Sequence, residues 1–146
     1  MEKTTKTSTR AAATKIFVNL PVRDLDKAKD FFAKLGYGFN AQFTDDTAAS
    51  MIVSDHIYVM LLTHDKFQQF TPKEICDATK SSEALICLSC ESRAKVDEQV
   101  RKAVAAGGTT YTAAKDYGFM YGHGFQDLDG HIWELIWMDP NGAPPH

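Results

Sequence analysis

Glu134 is the residue whose chemistry most needs explaining. It lies in Ile132-Trp133-Glu134-Leu135-Ile136-Trp137-Met138, a run that is otherwise apolar. A carboxylate in such surroundings is costly unless something pairs with it. A metal ion, a bound ligand or a set of protein neighbours would each answer that cost. Left unpaired, its pKa would rise by desolvation, which suits a general base taking a proton next to a carbonyl. Asn19, Tyr58 and His123 are the candidate protein partners. The run is fed by Asp127-Leu128-Asp129-Gly130-His131, an Asp-rich turn.

Histidine and cysteine supply the other reactive side chains. His123 lies in Tyr121-Gly122-His123-Gly124-Phe125, where flanking glycines permit close backbone approach or a bulge. Tyr121, His123 and Phe125 share one face, from which His123 could reach Glu134 as a second metal ligand. His56 reads as turn chemistry, His64 as a strand end, and His131 faces away from Glu134 by strand parity. Cys87 and Cys90 form a Cys-x-x-Cys, the spacing of a redox pair or half a zinc site. Their segment, Leu85-Ile86-Cys87-Leu88-Ser89-Cys90, reads as strand, which points them to opposite faces, and no second Cys/His pair matches. With Cys76 they are expected to be free, buried thiols in a reducing cytoplasm.

Composition narrows the class of partner. The 146 residues are 44% hydrophobic and 24% charged, enough for one globular domain with its own core. Net charge is -3, with no basic block, so a small, weakly polar ligand fits better than nucleic acid. No apolar run has the length of a membrane span or the position of a secretory signal.

The elements that must position these residues come in two similar sets. Residues 1–14 read as a loose arm and 141–146 as a Pro/Gly tail, leaving a domain over 15–140. Its first half, 15–64, opens with a strand over Lys15–Val22. Asp24 follows as a cap, then a helix with Leu25, Ala28, Phe31, Phe32 and Leu35 on one stripe, stopped by Gly36. Strands are expected over 39–43, 48–54 and 57–63, with Ser54-Asp55-His56 as a hairpin turn. A connector over 65–82, interrupted by Pro72, leads to the second half, 83–140. That half repeats the order: a strand over 84–90, a cap at Ser92, a helix carrying Val96, Val100, Val104 and Ala105, and a stop at Gly107-Gly108. Strands over 109–112, 118–126 and 132–138 complete it. The pattern is βαβββ twice, an α+β architecture built by repetition.

Strand parity then sorts the faces. Phe17, Asn19 and Pro21 share one face of their strand, opposite Ile16, Val18 and Leu20, and by the same rule Tyr58, Met60 and Leu62 share a face of theirs. So do Leu85, Cys87 and Ser89, and likewise Ile132, Glu134 and Ile136. These mixed faces are expected to line a cavity, mostly apolar with a few polar groups, as small-molecule sites are. Trp133, Leu135 and Trp137 are left to pack on helices.

The opening Asn19-Leu20-Pro21-Val22-Arg23-Asp24-Leu25, the closing Asp127-Leu128-Asp129-Gly130-His131-Ile132-Trp133-Glu134 and the two βαβββ halves together resemble the vicinal oxygen chelate superfamily. That group holds glyoxalase I, extradiol dioxygenases and the fosfomycin and bleomycin resistance proteins. The resemblance spans about Lys15 to Pro140 and implies two curved sheets forming one cup for a small molecule, commonly in a homodimer. It also implies metal ligands on the first and last strand of each half, which fall here at Phe17, Met60, Leu85 and Glu134. Of these only Glu134 can bind a metal. A shift of one residue brings none, and a shift of two brings only Cys87 and the poor ligand Asn19.

The expectation is therefore a binding protein of this type without the usual divalent metal, with no cofactor and no membrane or nucleic-acid partner. Its expected pocket is Phe17, Asn19, Tyr58, Met60, Leu85, Cys87, His123 and Glu134. Glu134 would be the catalytic base if the protein is a glyoxalase-type lyase or isomerase. The alternatives are a metal-dependent lactoylglutathione lyase-like or dioxygenase-like enzyme, and a module whose own side chains fill the cavity.

Overall fold

In the computed structural model, which describes residues 14–142, the alternation of apolar side chains sets the strand register. The chain forms two compact units. One comprises Tyr37–Lys73 with the chain up to Leu25, and the other Asp26–Gly36 with the chain from Glu74 onward. The expected arm over 1–14 lies outside the described residues except for Thr14. The expected tail over 141–146 does so except for Asn141 and Gly142.

The first unit holds a four-stranded sheet in the order β1-β4-β3-β2. β1 (Ile16–Val22) runs parallel to β4 (Ile57–Thr63), and β3 (Ala48–Ser54) is antiparallel to β4. The turn at residues 54–56 falls where expected. β2 is only Gly38–Phe39, shorter than the strand expected over 39–43. The chain there turns into a single 3₁₀ turn, Ala41–Phe43, because the Asn40 side chain accepts from the backbone N–H of Gln42 at 3.0 Å. Such local bonds compete with ladder pairing. Thr63 caps the short helix α2 (His64–Gln68) in the same way.

Helix α1 (Leu25–Lys34) lies between β1 and β2 in sequence. Its expected stripe is realised, with Leu25, Ala28, Phe31 and Phe32 buried on the helix and Leu35 buried just beyond it. Phe31 and Phe32 pack within the second unit. Phe32 meets Trp133 at 5.1 Å between ring centroids, and Phe31 meets Phe125 at 6.1 Å.

The second unit's sheet has the matching order β5-β8-β7-β6. β5 (Leu85–Ser89) is parallel to β8 (Ile132–Met138), and β7 (Met120–Gln126) is antiparallel to it. α3 (Arg93–Ala105) begins at Ser92, whose hydroxyl accepts from Lys95 N–H at 3.1 Å. Its buried residues are Val96, Val100 and Ala103, while Val104 is exposed, contrary to the expected stripe. At 3.6 residues per turn Ala103 lies about 20° from Val96 around the helix axis and Val104 about 80° away. The strand expected over 109–112 is only a bridge between Thr109 and Gln126, and the edge strand is β6 (Lys115–Asp116). The two βαβββ modules are thus present, with both second strands reduced to two residues.

The Asp-rich turn is a hydrogen-bonded cage. The Asp127 carboxylate accepts from Asp129 N–H at 2.9 Å, His131 N–H at 3.0 Å and the Trp133 indole N–H at 2.9 Å. Gly130 has φ +93, and a Cβ there would lie 2.8 Å from the Ala78 backbone. Only glycine closes this turn without strain. Burial, opposed by His131 and the donors, lifts the Asp127 pKa above its usual 3.8. No helix among the described residues is long and apolar enough to cross a membrane.

Asp127→Ala leaves the buried indole and backbone N–H groups unsatisfied and is expected to cost roughly 3 kcal/mol in denaturant unfolding. The pH dependence carries a definite sign. An unfolded Asp127 releases its proton near 3.8 and the folded one later, so in the window just above 3.8 the folded state holds more protons. Its contribution to stability therefore falls as pH rises through that window. The difference in stability between Asp127→Asn and the native protein should grow in favour of the variant across it. A flat difference would contradict the assignment.

Candidate functional site

The register of the second sheet places Glu134 between Cys87 on β5 and Gly124 on β7. Side chains paired across a sheet share a face, so Glu134 stands with Cys87, Ile132 and Ile136, as parity predicts. On its other side Gly122 and Gly124 leave the β7 surface bare. Tyr111 crosses this bare strip, its hydroxyl resting on Gly124 where a Cβ would otherwise stand. Tyr117, Met120 and Lys115 complete the wall of a hollow of about 250 Å³, with Glu134 in it.

Glu134 is half-buried, and its carboxylate has no hydrogen-bond or ion-pair partner among the described residues. No buried side-chain oxygen or nitrogen of the described residues lacks a partner, so the carboxylate oxygens reach solvent. The expected sunken carboxylate is thus an accessible one. Its charge still acts on its neighbours. Partial burial first, and Glu134 second, push the Cys87 thiol pKa up. Burial, then Glu134, then Cys87, do the same to the Tyr111 phenol.

Of the candidate protein partners of Glu134, His123 belongs to the same unit. His123 pairs with Leu135, on the parity opposite Glu134, and its Nε2 stands 2.9 Å from the Thr112 carbonyl. Tyr121, His123 and Phe125 do share a face, but it is the one carrying Trp133 and Leu135. The two-ligand His123/Glu134 arrangement is therefore not formed, although His123 adds to the hollow's wall. Asn19 and Tyr58 lie in the first unit. Asn19 Nδ2 donates to the Phe17 carbonyl at 3.4 Å, and the Tyr58 hydroxyl donates to the Asp55 carbonyl at 3.1 Å.

On the first sheet Phe17 pairs with Tyr58 and Asn19 with Met60, which confirms the shared face. Phe17 stacks on Tyr58 at 5.1 Å and remains 54% exposed. Leu62, expected on this open face, is buried at the strand end. On β5 Leu85 is 56% exposed. The three cysteines are free, but Cys76 and Cys87 are exposed and Cys90 is half-buried, which corrects the expectation of buried thiols. Both sheet edges, β1 and β5, leave these faces open.

The residues present do not fit a divalent metal. Phe17 and Leu85 carry no coordinating atom, the Met60 thioether suits only soft ions such as Cu(I), and a lone carboxylate does not hold a divalent ion. Among the described residues no group of three or more His, Cys, Asp and Glu side chains is arranged to hold one.

Arg93 holds the rim of the hollow from the helix side. It donates to Asp116 at 2.6 Å and to the Gly118 carbonyl at 2.9 Å. Its guanidinium lies 5.3 Å from the Tyr121 ring centre and 5.0 Å from that of Trp137. Tyr111, Tyr117, Lys115 and Met120 were not legible as site residues. Gly122 and Gly124 were the available signal: both sit on the Glu134 parity, and glycines there open room for a side chain arriving from elsewhere.

The family described as bleomycin resistance protein-like N-terminal matches residues 14–54. A hypothetical protein of S. aureus shares 27% identity, with a TM-score of 0.73 over 84% of this chain and 92% of that one. A glyoxalase/bleomycin resistance protein/dioxygenase family enzyme from Burkholderia phytofirmans PsJN is 16% identical, with a TM-score of 0.71 over 86% and 99%. A glyoxalase-related enzyme from Fulvimarina pelagi is 18% identical, with a TM-score of 0.74 over 92% and 96%. The last two likenesses carry the fold alone. No curated protein sequence matches the chain.

A methyl group at Gly124 would lie 2.8 Å from the Trp133 carbonyl as well as against the Tyr111 phenol. Gly124→Ala is expected to destabilise the protein by about 1–3 kcal/mol, as overpacking does. Adding Tyr111→Ala should recover only part of that loss, because the carbonyl contact remains. Full recovery would show that the phenol alone sets the constraint.

Proposed function

We propose that the chain, which has the fold of glyoxalase/bleomycin resistance/dioxygenase proteins, is a member of the vicinal oxygen chelate superfamily that binds a small, partly apolar organic ligand against the Glu134 face of its second sheet, without a divalent metal. The observation that carries this reading is the unpartnered, half-buried Glu134 in a hollow walled by Tyr111, Tyr117, Met120, Ile136 and bare glycine backbone, with Lys115 and His123 as its other ionisable side chains. Apolar walls supply affinity, and a few polar groups supply orientation. Glu134 acts as the acceptor that orients the ligand, and it is the group on that face able to take a proton from it. Metal-assisted lactoylglutathione lyase or dioxygenase chemistry is not supported, because Phe17, Met60 and Leu85 offer no imidazole or carboxylate to hold a divalent ion.

The reading includes a homodimer. Exposed Phe17 and Leu85, on edge strands, are large apolar side chains that a second copy would cover. The free thiols support a reducing, cytoplasmic setting.

Thermal unfolding against a panel of flat aromatic compounds tests the binding reading. A ligand at a hundred times its Kd adds about 2.7 kcal/mol to stability and raises the midpoint by several degrees. At least one compound should do so, with a smaller rise in Glu134→Gln, and a chelator should leave the native midpoint unchanged. A panel without any rise, or a midpoint that drops with chelator, contradicts it. Sedimentation equilibrium at micromolar concentration should return twice the 16.2 kDa chain mass. Phe17→Asp should shift the species toward the monomer; a native monomer rules the dimer out.

A further inference from the structure

We propose that the ligand of the Glu134 hollow is an organic cation, a protonated amine or amidinium carried on a flat apolar body. The inference deepens the preceding reading and rests on that hollow being the ligand site. Glu134 is the acid whose side chain shares the hollow's face, and nothing among the described residues pairs with it. Its neighbours on that face are neutral donors, the Tyr111 phenol in the hollow's wall and the Cys87 thiol beside it, both with pKa values pushed up by partial burial and by Glu134 itself. They can donate hydrogen bonds to a ligand, but neither adds charge. Lys115 also lines the hollow, yet it forms no ion pair with Glu134. The carboxylate is thus an unmatched negative charge facing the ligand space.

The shape agrees with the charge. Gly122 and Gly124 give a flat strip, and a Cβ at Gly122 would already meet Ile136 at 3.3 Å. A planar body can lie there against Ile136 and Met120. Tyr111 and Tyr117, 38% and 55% exposed, offer rings whose faces attract cations. A ligand carrying net negative charge would instead meet Glu134 unshielded. A thiol adduct bearing carboxylates, of the glutathione type, is therefore a poor fit.

The test compares three isosteric probes on the full-length protein by NMR titration at neutral pH. They are 2-(1-naphthyl)ethylamine, 2-(1-naphthyl)ethanol and 3-(1-naphthyl)propanoate. A charge-assisted bond to Glu134 should make the amine bind about tenfold more tightly than the alcohol, with the acid weakest. Shifts should centre on Tyr111, Gly122 and Gly124. In Glu134→Gln the amine's advantage should vanish while the alcohol's affinity stays constant. On the native protein added salt should weaken the amine and spare the alcohol, a check that needs no variant. Equal affinities for amine and alcohol overturn the cation inference and leave the ligand site standing. So does an amine preference that survives in Glu134→Gln or ignores salt. Failure of all three probes to perturb the hollow up to millimolar concentration overturns both the inference and the reading beneath it.

Discussion

The Asp127 carboxylate, accepting three N–H groups at 2.9–3.0 Å, is the interaction on which the second unit depends. Two of its bonds close the turn from Asp127 to His131, which brings β7 and β8 into register. The third fixes the Trp133 indole, and so fixes which face of β8 turns inward. Trp133 then stacks on Phe125 at 6.4 Å and meets Phe32 from α1. Because neighbouring strand residues alternate, committing Trp133 to the aromatic core commits Glu134 to the opposite face. The orientation of the site's carboxylate is thus set by a different carboxylate seven residues earlier. Their surroundings differ: Asp127 is surrounded by donors and holds the turn, whereas Glu134 has no hydrogen-bond partner among the described residues.

Much of this was legible from residue types alone. The stripe of α1, the Ser92 cap, the bounds of β3, β4 and β8 and the shared faces follow from spacing that tertiary packing does not override. Parity grouped Glu134 with Cys87 and Met60 with Asn19 among the cavity-lining residues, and the register makes each pair neighbours on one face. What was not legible involves segments without strong periodicity. Asn40 diverted a strand into a turn by a side-chain bond, and Tyr111 reached its place over Gly124 through an irregular loop. His123 does line the hollow, but by strand parity its side chain lies on the face opposite Glu134, so the two do not form a pair. The partners sought for Glu134 were side chains, and the structure supplies absence instead.

The chain has the fold of its glyoxalase/bleomycin resistance/dioxygenase neighbours, and the side chains its strands present are its own. Apolar residues at Phe17, Met60 and Leu85 trade coordination for surface that can bury a ligand or a second copy. Glu134, alone of the four positions, keeps a charge. In the proposed reading this carboxylate serves as a recognition group, and its strength depends on how dry the ligand makes it. The Arg93–Asp116 pair, stacked on Tyr121 and Trp137, secures the edge strand whose residues form the hollow's rim.

The central claim is that Glu134 acts without a metal. Calorimetric titration of the purified full-length protein with Ni²⁺ and with Zn²⁺ addresses it most directly. The account predicts no stoichiometric binding at micromolar concentration that depends on Glu134. A one-to-one, submicromolar site abolished by Glu134→Gln would contradict it.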